Sequence, residues 1–137
     1  MASRPARLFV YGTLQDGGRL DALIGNATRW RVLARGTTAG ALYDVGRYPA
    51  MIRVVTEQGA RRRSPRAADR VPGLVIELAE PAAALRVLDK YEGVDDGVYA
   101  RRRCRVLTAE GVTTTAWVYV YTRPVTGLRR IAAWPYG

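Results

Sequence analysis

The chain reads as an α+β fold, a small closed or half-closed β-barrel with helices packed outside it. Three observations predict this. Stretches rich in β-branched and aromatic residues, many with a glycine near one end, fill most of the 137 residues. Only one stretch, 81–93, carries a firm helical period, and a second, 18–25, carries a weak one. No internal repeat or linker composition divides the chain, so a single domain over 1–137 is expected.

Taken in order, RLFVYGTL (7–14) predicts a strand broken by Gly12. GRLDALIG (18–25) predicts a short helix closed by Gly25 as C-cap. Strands are expected at about 29–35, 38–44 and 50–56, the second lying between Gly36 and Gly46. Residues 57–71 read as a polar, arginine-rich loop. VPGLVIEL (71–78) predicts another strand, and Pro81 then stands in the first turn of a helix over 82–92. An acidic, glycine-bearing turn is expected at 94–100. A hairpin follows with strands at 101–108 and 112–122, turning at Ala109–Glu110–Gly111.

Composition narrows the function. Hydrophobic content of 48% with 25% charged residues suits a globular chain with a proper core. No apolar run reaches the roughly 18 residues a membrane span needs, and the run after Arg4 and Arg7 is too short for a signal-peptide core. A cytoplasmic protein, monomeric or weakly dimeric and without a membrane partner, is therefore expected. Cys104 is the only cysteine, which excludes an intrachain disulfide. There is no histidine, so no Ser-His or Cys-His pair, no histidine base and no histidine metal ligand can exist. The formal net charge of +10 invites a nucleic-acid reading. Yet nearly every basic residue is arginine, Lys90 being the sole lysine, as in the usage of a GC-rich genome. The densest cluster, Arg61–Arg62–Arg63 with Arg66 and Arg70, sits in a Pro/Ser/Ala loop without aromatic residues. A solvated loop is the simpler reading there, and no nucleic-acid partner is expected. Arg101–Arg102–Arg103 runs into a strand, which sends alternate residues to opposite faces.

Glu92 stands out chemically. Leu85, Leu88 and Glu92 fall at i, i+3 and i+7, on one helix face, while Arg86, Asp89 and Lys90 fall on faces that water would normally receive. A carboxylate on an apolar stripe is costly unless paired, hydrogen-bonded or protonated. It is either a structural ion pair or an acid/base group with a raised pKa. Gly12, after a strand and before a turn, can take φ > 0 and let consecutive N–H groups converge on a carboxylate or oxyanion. Tyr99 and Tyr121 could line a pocket nearby.

FVYGTL (9–14), GALYDVGRYPAM (40–51), PGLVIEL (72–78), LRVLDKYEGV (85–94) with Tyr99, WVYVY (117–121) and IAAWPYG (131–137) come in an order that resembles the gamma-glutamylcyclotransferase family, in its AIG2-like branch. The resemblance spans nearly the whole chain. It implies a mixed β-barrel flanked by helices. It further implies that the backbone amides of Tyr11, Gly12, Thr13 and Leu14 bind a glutamyl carboxylate, that Glu92 is the general acid/base, and that Tyr99 and Tyr121 line the cavity. The implied reaction is release of 5-oxoproline from a γ-glutamyl amine or amino acid, without metal or cofactor. Family members differ in leaving group, which the resemblance leaves open. The alternative is a non-catalytic module on the same fold that binds a carboxylate metabolite.

Overall fold

The computed structural model describes residues 4–53 and 70–134. Strand β1 (Ala6–Val10) leads through a 3-10 turn, Thr13–Gln15, into helix α1 (Gly17–Ile24). Asp16 caps that helix, its carboxylate accepting from the Gly18 and Arg19 N–H groups. Then come β2 (Trp30–Ala39), β3 (Ala41–Asp44), β4 (Pro49–Ile52) and β5 (Arg70–Leu78). Helix α2 (Pro81–Tyr91), β6 (Tyr99–Thr108), β7 (Thr113–Tyr121) and a short β8 (Arg129–Ile131) complete the order.

Five strands close into a barrel in the order β1-β5-β2-β6-β7, and β4, β3 and β8 form a separate small sheet. The barrel is mixed, because β1 meets β5 antiparallel but closes against β7 in parallel, Leu8 facing Trp117. The expected α+β barrel with outer helices is the fold observed. Strand succession alone misplaces the neighbours, however: of the barrel pairs only β6 and β7 form a hairpin of consecutive strands.

Period-2 alternation divides the apolar residues between two cores. Phe9, Val75, Val106, Val118 and Val120 fill the barrel with Tyr11, Leu42 and Met51. Leu8, Val10, Ile76, Leu78 and Tyr119 face outward and meet Leu20 and Ile24 of α1 and Ala84, Leu85 and Leu88 of α2. The helices therefore cover one wall of the barrel, and the last turn of α2 is bonded to β6 and β7.

Several sequence expectations are corrected. The predicted strands 29–35 and 38–44 are divided differently: β2 runs unbroken through Gly36 to Ala39, with a register shift between Val32 and Ala34. Gly36 is interior because a Cβ there would stand 2.7 Å from Val106 Cγ1 and 2.8 Å from the Leu107 carbonyl. Tyr99 and Ala100, expected in a turn, already pair with Tyr121 and Val120. Arg70, expected in the arginine-rich loop, belongs to β5 and donates from Nε to Thr37 Oγ1 (2.9 Å) and from a terminal nitrogen to the Thr37 carbonyl (2.9 Å). The rest of that loop, the end of the predicted 50–56 strand and Pro135–Gly137 lie outside the described residues.

Candidate active site

The last turn of α2 sets Glu92. Glu92 is the C-cap, and Gly93 follows at φ +71°, a conformation that favours glycine. The Gly93 N–H donates to the Lys90 carbonyl (3.2 Å) and the Val94 N–H to that of Asp89 (3.0 Å). These paired bonds are a Schellman motif, and Val94 adds its hydrophobic contact by packing on the outer core. The sequence Glu-Gly-Val thus stops the helix while keeping Glu92 on the face of Leu85 and Leu88.

Asp89, one turn earlier, departs from the expectation that water receives it. Its carboxylate accepts both Arg101 Nε (2.9 Å) and an Arg101 terminal nitrogen (3.1 Å), and also the Tyr119 hydroxyl (2.7 Å). Burial works to raise its pKa, but the Arg101 and Tyr119 hydrogen bonds outweigh that and hold it below the usual carboxylate range. Arg101 also stacks over Trp117 at 4.6 Å, with Arg103 on the same ring at 4.4 Å, as strand alternation requires.

A cavity of about 420 Å³ opens beside Glu92. It is lined by Tyr11, Gly12, Thr13 and Leu14 at the end of β1, by Glu92 and Tyr91 from α2, and by Tyr99 and Tyr119 from the barrel. Arg47, Tyr48 and Pro49, from the turn between β3 and β4, complete the rim. The structure therefore brings together six of the seven residues singled out in the sequence. Tyr121 is not in the lining; it packs edge-on against Tyr99, ring centroids 5.5 Å apart, and braces that wall from behind.

Gly12 acts differently from expectation. Its φ is −120°, so it is not left-handed. Its need for glycine is spatial, since a Cβ would stand 2.8 Å from Pro49 Cγ. The turn it starts has Gln15 N–H bonded to the Gly12 carbonyl (3.0 Å) and Asp16 N–H to that of Thr13 (3.1 Å). The Thr13 and Leu14 N–H groups thus have no partner within the turn. Both residues line the cavity.

Burial pushes the Glu92 carboxyl up to about 7, the sole cause of a shift that leaves it shared between acid and base forms near neutrality. Both buried tyrosine hydroxyls beside it are committed. Tyr11 donates to the Tyr119 carbonyl (2.6 Å) and Tyr99 to the Pro49 carbonyl (2.6 Å). Burial first, and the neighbouring charges including Glu92 after it, raise both phenols well above their ordinary value. They serve as fixed, uncharged walls. Tyr99 lines the cavity as expected, but its proton is spent on the Pro49 carbonyl.

Sequence reasoning missed Arg47, Tyr48, Tyr91 and Tyr119 as lining residues. The signal for the first two was the Gly-Arg-Tyr-Pro run, where Gly46 takes φ +112° and turns the chain back over Gly12. Among the described residues no group of three or more acidic or cysteine side chains is placed to hold a metal ion. No described helix is long and apolar enough to cross a membrane.

Residues 8–136 match the family described as gamma-glutamyl cyclotransferase, AIG2-like, and the chain belongs to it. Among solved structures it is similar to an AIG2-like protein from mouse, with 21% identity, a TM-score of 0.75, and 97% of this chain and 90% of that one covered. It is also similar to a gamma-glutamyl cyclotransferase at 17% identity and TM-score 0.64, covering 93% and 70%. A glutathione-specific gamma-glutamyl cyclotransferase from yeast shares 12% identity at TM-score 0.52, covering 96% and 72%. At these identities the likeness is one of fold. Among curated proteins, no sequence matches the chain.

Proposed function

We propose that the protein is a γ-glutamyl cyclotransferase that releases 5-oxoproline from a γ-glutamyl amine or amino acid. The observation that carries this reading is a carboxylate with a pKa of about 7 that, among the described residues, has no ion-pair partner and shares a cavity with the Thr13 and Leu14 turn, whose N–H groups have no partner within the turn. The Thr13 and Leu14 amides hold the glutamyl α-carboxylate. Glu92, as carboxylate, takes a proton from the substrate's α-ammonium. The freed amine attacks the γ-carbonyl, forming a C–N bond and closing the ring. Glu92 then returns the proton to the departing nitrogen as the old C–N bond breaks. Glu92 thus moves one proton from nucleophile to leaving group, and a pKa near neutrality suits both halves of the task. The ring nitrogen sheds its second proton as the lactam forms, and the released amine takes one up to leave as its ammonium.

The attack is intramolecular, so the cavity accelerates it chiefly by holding the glutamyl chain folded. The phenols of Tyr11 and Tyr99, with raised pKa and committed protons, cannot compete as bases in the same step. Glu92→Gln keeps shape and hydrogen-bonding capacity but removes the base. We expect it to lower 5-oxoproline release by about 10²–10⁴-fold with an unchanged circular-dichroism spectrum. Turnover at the wild-type rate in that variant would sink the assignment.

A further inference from the structure

We propose that the outer part of this cavity selects a leaving group made of an apolar or aromatic body bearing a carboxylate, with Arg47 gripping the carboxylate and Tyr48 and Tyr91 flanking the body. The inference rests on the cyclotransferase reading, which places the glutamyl part against the inner amides and so points the leaving group outward.

Three observations carry it. Among the described residues, Arg47 and Glu92 are the only charged side chains in the lining. Arg31, Arg101 and Arg129 each hold a carboxylate, whereas Arg47 has no hydrogen bond or ion pair with a described residue. Among the described residues, the exposed large apolar side chains are Val32, Tyr48, Tyr91, Leu107 and Val112, and two of these five line this one cavity. Tyr48 is 38% and Tyr91 45% exposed, an aromatic surface left open where a ligand would cover it.

The rim is also held in place. Gly46 N–H donates to Asp44 Oδ1 (2.7 Å) and Val45 N–H to the Tyr48 carbonyl (3.1 Å). Asp44 is in turn anchored by Arg129 (2.8 Å). Pro49, next in the chain, takes the Tyr99 hydroxyl and abuts Gly12. The Tyr48 ring meets that of Tyr99 edge-on at 6.1 Å. The guanidinium is therefore carried by a turn that is braced against the inner site, which lowers the ordering cost of binding. Charge sets the choice. A carboxylate on the leaving group pairs with Arg47 and is kept away from Glu92. An ammonium there is repelled by Arg47 and competes with the substrate's own ammonium for Glu92.

The test uses γ-glutamylphenylalanine, its C-terminal amide, γ-glutamylalanine and γ-glutamylputrescine. Binding is measured by calorimetry on Glu92→Gln, with and without Arg47→Gln, and turnover on the wild type and Arg47→Gln. The phenylalanine acid should bind about tenfold more tightly than its amide, the worth of one charge-assisted hydrogen bond. It should also bind more tightly than the alanine compound, and putrescine most weakly. Arg47→Gln should bring the acid/amide ratio near one in both binding and kcat/KM. Equal binding of acid and amide to the parent, or a loss in Arg47→Gln that is the same for both, overturns the proposal. The second pattern would assign Arg47 to the glutamyl carboxylate instead. Selective binding without any turnover would sink the cyclotransferase reading while leaving this subsite standing.

Discussion

Glu92 titrates where its burial places it, and two measurable consequences follow. In the proposed mechanism the carboxylate is the base, so kcat/KM should rise through about pH 7 and level off above it, on the limb that Glu92→Gln lacks. Stability runs the other way. The folded carboxyl has a pKa above its unfolded value of about 4.3, so the folded state holds the extra proton. Its contribution is favourable below the unfolded pKa and is lost as pH climbs to about 7. Wild type should therefore lose up to about 3 kcal/mol relative to Glu92→Gln between pH 4 and pH 8, read from urea unfolding at each pH. A flat difference would mean that Glu92 is hydrated. Asp89, on the same helix, shows the opposite solution: a carboxylate with its partners built in, depressed rather than raised.

At the level of elements, α2 carries Glu92 and three devices fix where its end lies. Leu85 and Leu88 bury its face, the Schellman turn stops it, and the Arg101 and Tyr119 bonds to Asp89 tie it to β6 and β7. Gly93→Ala places a Cβ at φ +71° and 3.3 Å from Val98 Cγ2. It should cost about 1–2 kcal/mol and lower kcat more than the stability loss explains, because Glu92 is the adjacent residue. Asp89→Asn leaves Arg101 unpaired at a half-buried site and should cost roughly 1–3 kcal/mol in chemical denaturation. An effect near zero would show that the pair behaves as an ordinary exposed ion pair.

The closed barrel ties the two ends of the chain into one wall, since β1 completes it against β7. On its other edge β1 meets β5 at close backbone approach. A Cβ at Gly73 would stand 2.4 Å from the Val10 carbonyl and 2.8 Å from Phe9 Cζ, both groups immediately before the Tyr11–Gly12 turn. Gly73→Ala is expected to lower the melting temperature by on the order of 10 °C, and to weaken glutamyl binding because the displaced strand leads into the amide turn. Unchanged binding with only a lower melting temperature would separate the barrel from the site.

Element types were legible from local pattern. Leu85, Leu88 and Glu92 at helical spacing, the β-branched and aromatic runs in 71–78 and 112–122, and the absence of histidine need only the order of residues. So did the pairing of the Tyr11–Leu14 turn with Glu92, though through resemblance and not through any local signal. Tertiary structure alone decided the rest. Strand order, the interior place of Gly36, the commitment of the Tyr11 and Tyr99 protons, the bracing role of Tyr121 and the arrival of Arg47 and Tyr48 at the rim all depend on residues far apart in the chain. The pKa of about 7 belongs with them. A sequence specifies which face a carboxylate occupies through backbone period, a local property. Whether that carboxylate is desolvated or paired depends on what the rest of the chain packs against it, and here the chain packs a cavity wall on Glu92 and an arginine on Asp89.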